Sequence, residues 1–215
     1  MHSNRHTNHH DDSGNLGFIV FTTGIFQLYY FEYTENHESP ISKVRRFNIK
    51  PPCQYYAIVG SFKGLICLDD LKDRFCICNP TTKEYVTLPK PNYKINSGRD
   101  FFTAIGFGYL PSTNEYKVVV VDKVEKEPNF VEVLEYTPGS HNGWRNIEKF
   151  NQKIEYIVCG WRQGIFSNAA LHWMDTTRKI IIFDLADEKF GEHLSPPPLP
   201  SGHIKLGVLG GFFVQ

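Results

Sequence analysis

The chain has 215 residues, enough for one large domain or two small ones. Lysine plus arginine number 23 and aspartate plus glutamate 23, which excludes the basic surplus a general nucleic-acid binder needs to displace counterions from phosphates. The hydrophobic share of 41% excludes a disordered chain, and at this length roughly 70% of the unfolded surface can be buried without metals or disulfides.

Residues 1–15 carry four of the nine histidines and no apolar periodicity, so they read as a disordered His/Asn-rich lead. His6, His9 and His10 could hold a metal ion weakly, but a solvated tail accounts for them better, and no metal site is expected. The apolar region from Leu16 to Phe31 is broken by Thr22, Thr23, Gly24 and Gln27, short of the about 20 apolar residues of a membrane-spanning helix. Asp11 and Asp12 stand where a secretory leader needs basic residues. Five cysteines, an odd number in no secreted spacing, read as reduced thiols. The expected location is cytoplasmic or nuclear, not secreted, with no membrane partner.

From Gly17 onward, short runs rich in Val, Ile, Phe and Tyr alternate with turn clusters. Predicted strands are Gly17–Phe21, Ile25–Tyr33, Tyr55–Val59, Gly64–Leu68, Phe75–Cys78, Tyr85–Leu88, Phe102–Phe107, Tyr116–Val121, Val131–Tyr136 and Lys179–Phe183. Asn79-Pro80, Pro111-Ser112-Thr113-Asn114, Pro138-Gly139-Ser140 and Asn142-Gly143 punctuate them. No window carries a 3.6-residue stripe, so the chain is predicted to be all-β.

A repeat lies beneath this texture. Phe75–Cys78, the turn from Asn79, Tyr85 and Leu88-Pro89 correspond to Val131–Leu134, the turn from Thr137, Trp144 and Ile147. A third copy comprises Ile180–Phe183, the turn from Asp184, Phe190 and Leu194. The starts Asn79, Tyr136 and Asp184 are 57 and 48 residues apart, near the period of kelch-like propeller blades. Such units stack to cover their sheet faces, and two or three cannot close a ring. The expected fold is an incomplete kelch-like β-propeller of about three to four blades of antiparallel sheet.

Candidate reaction centres are sparse. Cys76 and Cys78, two apart in a strand, share a face, but the C-x-x-C pairs of a zinc site are absent, so both are expected in the core. His172-Trp173 in a strand should place one residue inside and the other near the surface, and no nucleophile setting lies near the histidine. Gly106-Phe107-Gly108 opens a dinucleotide fingerprint that fails at Pro111. Lys43, Arg45, Arg46 and Lys50 suit a solvated face or a protected sheet edge. The loop from Lys90 to Asp100 is long for a hairpin, and its Tyr93, Arg99 and Asp100 are the candidate residues for binding a partner protein. No catalytic residue and no cofactor is expected.

Three stretches add a resemblance. Gly60–Pro91 has a G-S-x-x-G-L-hydrophobic-C strand, then N-P-T-T and L-P. Gly106–Val121 is followed by Val131–Ile147 with its G-W-R ending. Asn168–Phe190 carries A-A-L-H-W and F-D-L-x-x-E-x-F. In this order and spacing they resemble the plant F-box-associated interaction domain, over roughly residues 18–215. The resemblance implies the substrate-recognition part of a Skp–cullin–F-box ubiquitin ligase, a protein–protein interaction domain without catalysis whose partner is a target protein. Residues 16–215 would form that domain. Family members normally begin with an F-box that docks a Skp-type linker and cullin. Only the His/Asn-rich lead precedes the first strand here, and the chain stops at Phe212-Phe213-Val214-Gln215 where another blade would begin. A truncated domain lacking its F-box is the expectation, with linker and cullin as partners only through another surface. A shortened target-binding module or truncated-gene product outside the ligase is the alternative. A copper-dependent kelch-scaffold oxidase, drawing on His172, His193 and His203, is the more distant one.

Overall fold

Alternating apolar runs and turn clusters favour paired strands, and the computed structural model bears this out. Residues 16–22, 27–33, 41–47, 57–70, 74–91, 104–124, 127–152, 154, 162–195, 206–209 and 212–214 are described, and every regular element among them is a strand. The chain divides into two units, residues 1–49 and 50–215.

The first unit holds one antiparallel sheet ordered β1 (Leu16–Thr22), β2 (Gln27–Tyr33) and β3 (Ile41–Phe47). β1 and β2 pair without a register break from Leu16↔Tyr33 to Thr22↔Gln27. β3 is an edge strand that sets Lys43 opposite Glu32 and Arg46 opposite Tyr29, with Ile41, Val44 and Arg46 exposed. The basic cluster therefore lies within an edge strand, apart from Lys50, which falls outside the described residues.

In the second unit, three four-stranded antiparallel meanders follow one another. Blade 1 is β4 (Ala57–Phe62), β5 (Leu65–Asp69), β6 (Phe75–Cys78) and β7 (Tyr85–Thr87). Blade 2 is β8 (Ala104–Leu110), β9 (Glu115–Val124), β10 (Glu127–Tyr136) and β11 (Trp144–Asn151). Blade 3 is β12 (Ile165–Ser167), β13 (Ala170–Met174), β14 (Ile180–Asp184) and β15 (Lys189–Phe190), and a hairpin of β16 (Gly207–Leu209) and β17 (Phe212–Val214) follows. The repeat read from the sequence is the third strand of each blade, since β6, β10 and β14 contain its three apolar segments.

The inner strands of blade 2, β8 and the middle of β9, are buried on both faces, as a sheet stacked on both sides requires. Along β9, Val118 and Val120 join Val59, Cys67, Phe75 and Ile77 of blade 1. Val119 and Val121 join Leu171, Trp173, Ile181 and Phe183 of blade 3. The period of two in a strand thus sends one four-valine run into two cores.

Glycines let the first strands approach. A Cβ on Gly106 would stand 2.6 Å from Leu171 Cδ1, and one on Gly108 2.6 Å from Leu185 Cδ1 and 2.7 Å from Phe166 Cδ2. Glycine at these two positions thus permits a close approach to blade 3. Beside them the Gly164 N–H donates to Ile105 O at 2.6 Å and the Trp173 indole N–H to the same oxygen at 3.0 Å. The His172-Trp173 expectation needs correction, because both side chains are buried. Trp173 faces blade 2, and the opposite face of β13, with Ala170, His172 and Met174, is covered as well.

Candidate interaction surface

A meander of four strands sends its first and third turns to one end and its second turn, with the connection to the next blade, to the other. At the first end, the loops joining β4 to β5 and β12 to β13 have two residues each. Both residues take left-handed backbone: Lys63 (φ 45°) and Gly64 (φ 80°), Asn168 (φ 51°) and Ala169 (φ 58°). Two consecutive left-handed residues make the primed turn whose twist matches the flanking strands. The turn that opens at Asn79 holds itself through its side chain: Oδ1 accepts from the N–H of Thr81 at 2.9 Å and of Thr82 at 3.3 Å. Asp184 does the same in blade 3, accepting from Ala186 at 2.7 Å and Asp187 at 2.8 Å. In both, the fourth residue on, Lys83 or Glu188, is left-handed. Blade 2 departs from this scheme, with Pro138 and Gly139 (φ 86°) at the corner of a Thr137–Ser140 turn.

Beneath these loops the first strands of all three blades are tied by aromatic contacts. Phe62 of β4 stacks on Tyr109 of β8 at 5.2 Å and meets Phe166 of β12 edge-on at 4.9 Å. The Lys63 ammonium lies 4.0 Å from the Tyr109 ring centre, and the Tyr109 hydroxyl donates to Asn114 Oδ1 at 2.5 Å. The exposed stretch Pro111–Glu115 therefore stands on a fixed platform.

An ionic network joins blades 2 and 3 near the same end. Lys117 and Glu135, 5% and 3% exposed, pair at 2.9 Å across β9 and β10. Glu188 of the β14–β15 turn reaches Lys117 at 3.3 Å and Arg145 at 2.5 Å, and Arg145 also pairs with Glu135 at 3.0 Å. The Arg145 hydrogen bond holds the Glu188 carboxyl below its ordinary range, and Glu188 in turn raises the Arg145 guanidinium. Two cations and two anions consume one another, which makes this a joint between blades.

At the opposite end, Asp70 caps the β5–β6 turn by accepting from the Arg74 backbone N–H at 3.0 Å and from its guanidinium. Asp175 caps the β13–β14 turn by accepting from the N–H of Thr177 at 2.8 Å and of Lys179 at 2.9 Å. This second repeat, an aspartate with a basic residue four positions on, has a sequence signal that the strand pattern overshadows.

The sequence-derived candidates are distributed as follows. Tyr93, Arg99 and Asp100 lie outside the described residues, as do residues 1–15 and His203. Cys76 and Cys78 are buried free thiols, as is Cys67 on the other face of the sheet. Burial pushes the Cys78 thiol up to about 11 and Cys67 well above its ordinary value. Burial also lowers the His172 imidazole, whose Nδ1 lies 3.2 Å from Ile165 O, while His193 is paired with Gln152. Among the described residues, no group of three or more His, Cys, Asp or Glu is placed to hold a metal ion.

Comparison with known proteins bears on this architecture. The family model described as the F-box associated beta propeller domain matches residues 16–200. Three relatives come from Arabidopsis thaliana. A putative F-box protein is 28% identical over 144 residues, covering 66% of this chain and 45% of its own length. The F-box protein CPR1 is 27% identical over 180 residues, covering 72% and 44%. An F-box/kelch-repeat protein is 28% identical over 166 residues, covering 73% and 44%. The chain thus spans less than half the length of these relatives. Among solved structures, the WD40 domain of SCAP from fission yeast aligns with a TM-score of 0.46 at 15% identity, over 84% of this chain and 39% of that one.

Proposed function

The chain belongs to the family of the F-box associated beta propeller domain, and from that premise we propose that it is a non-catalytic module that holds a target protein for a Skp–cullin–F-box ubiquitin ligase. The observation that carries this reading is the family match over residues 16–200, together with relatives that are F-box proteins. The geometry supports it. Three blades are clamped by apolar cores and an ionic joint, while turns fixed by their own side chains project from one end. Rigid scaffolds with polar loops are suited to recognising a protein surface. Its place of action is the cytoplasm or nucleus, in keeping with the buried free thiols.

The test is affinity purification from plant cells of this chain and of the same chain fused behind the F-box of a relative. The expected result is one shared protein on both forms, with the Skp-type linker and cullin on the fused form. Linker and cullin on the unfused chain would place a further docking surface within it. Recovery of no protein by either form above an empty-tag control would overturn the reading. Stoichiometric copper in the purified chain would favour the oxidase instead.

A further inference from the structure

The fourth strands of the three blades end their sheets, and two of them carry devices that discourage pairing. β11 bears Arg145, Glu148 and Lys149, and its register against β10 is broken at Val133/Leu134. β15 opens with Lys189. Charge and bulges are usual protections of an exposed edge; shortness is another, which β7 with its three residues shares.

β7 has neither a charge nor a proline within Tyr85–Thr87, and its register against β6 is unbroken. Tyr85 and Val86 are 48% and 51% exposed on opposite faces of the strand. The Leu88 N–H donates to Phe75 O at 2.8 Å and the Asn79 N–H to Glu84 O at 2.9 Å, so the ladder groups of Glu84 and Leu88 turn toward β6. Alternation along an antiparallel pair turns the N–H and C=O of Tyr85 and Thr87 outward. These are two donors and two acceptors at the spacing of a further strand.

We propose that the outer edge of β7 receives an extended segment of the target protein as an added β-strand, with adjacent apolar side chains that cover Tyr85 on one face and Val86 on the other. The proposal rests on the target-holding reading above. Main-chain pairing would supply the grip and the two side-chain contacts the selectivity, as in other strand-addition complexes. Exposed Lys83 and Lys90 outnumber the exposed Glu84 beside the strand, which favours acidic flanks on the segment. A second copy of the chain is the poorer occupant. Three residues span about 10 Å, and a contact along so short an edge buries far less than the roughly 800 Å² per partner of a standard stable interface.

The probe is a displayed library of random twelve-residue peptides, selected on the full chain. Selected peptides should pair neighbouring apolar residues and lose about tenfold in affinity on Thr87→Pro, which deletes one outward N–H, and on Val86→Lys. N-methylation of the best peptide should weaken it about tenfold at every second residue only, the period of a strand. Thermal unfolding of both variants checks the fold, and Val86→Lys removes no backbone donor should the proline disturb it. Peptides that bind both variants unchanged, a library that yields no binder, or a dimer of the chain abolished by Thr87→Pro would each overturn the proposal. Retention by Thr87→Pro of the protein recovered from plant cells would overturn it while leaving the target-holding reading intact.

Discussion

Blade 2 meets its two neighbours through opposite faces of one sheet, and the two junctions are built differently. Toward blade 1 the contact is apolar and aromatic, with Phe107, Val118, Val120 and Leu134 against Val59, Phe75 and Ile77. Its polar tie is the Trp144 indole N–H donating to Pro89 O at 2.6 Å, with the ring 5.4 Å from Phe75. Toward blade 3 the contact adds glycine-mediated approach, the Trp173 tie to Ile105 and the Lys117–Glu135–Arg145–Glu188 network. A period of two lets each face be specified independently. The first junction gains its stability from area, whereas the second also demands one register and one orientation.

The two tryptophans give the largest test of that difference. Trp173→Ala opens a cavity in a closed core and removes a hydrogen bond, so it should cost about 4 kcal/mol of unfolding free energy in urea. Trp144 is only half-buried, and its truncation should cost about 2 kcal/mol. Equal losses would mean that the two junctions are energetically alike.

The ionic network comes next. Lys117→Met leaves a nearly closed Glu135 carboxylate with Arg145 as its remaining cation, and should cost about 3 kcal/mol. Adding Glu135→Leu turns this part of the junction into the apolar kind found on the other face. The double variant should then recover to within about 1 kcal/mol of the unaltered chain. If the double variant is no better than the single one, the network contributes more than geometry and desolvation explain.

Glycine substitutions sharpen the same contrast. Gly108→Ala drives a methyl group into Leu185 and Phe166 and should cost about 2 kcal/mol. At the first junction a Cβ on Gly60 would meet Phe107 Cβ at 3.3 Å, so Gly60→Ala should cost less than about 1 kcal/mol. Melting temperatures of the two variants decide it.

Which of these features could be read without coordinates follows from their range along the chain. Phe75–Cys78, with four apolar residues between turn signals, is β6 to the residue, and the repeat it begins names the third strand of every blade. Strand ends drifted where a turn residue is itself paired: β8 runs on through Gly108, Tyr109 and Leu110, against the predicted end at Phe107. Burial of both His172 and Trp173, where one was expected near the surface, could not be read, because alternation gives the side of the sheet on which a residue lies and says nothing of what covers that side. Lys117 and Glu188, 71 positions apart, carry no local signal, and their pairing depends on how blade 3 seats on blade 2. The β7 edge was visible as a strand, but its being an edge is a property of sheet order.

A smaller effect concerns Ala169. At φ 58° in a two-residue turn it holds a conformation that disfavours any residue with a Cβ. Ala169→Gly relieves that strain but frees the unfolded chain, and the two together should stabilise by about 1 kcal/mol. The equivalent Lys63-Gly64 turn of blade 1 already has its glycine, and Gly64→Ala should shift stability in the opposite direction.

The blades should also differ in the direction of their pH response, the smallest of these effects. In blade 3 burial lowers the His172 pKa from 6.5, and the Arg145 hydrogen bond lowers that of Glu188. A depressed folded value means that the unfolded chain binds the proton more readily. These contributions are therefore complete above the unfolded pKa and are lost as pH falls through the folded one, below 6.5 for His172 and in the acid carboxylate range for Glu188. The exposure of Glu188 tempers its share. In blade 1 burial raises Cys78 from 9.0 to about 11. Its contribution is present below 9.0 and is lost as pH rises through that window. Urea midpoints measured from pH 4 to pH 10 should therefore fall at both ends. His172→Asn should flatten the shoulder just below 6.5, and Cys78→Ala should reduce the alkaline one, to which buried Cys67 also contributes, each leaving the other in place. A single substitution that flattened both shoulders would show that the two blades do not titrate separately.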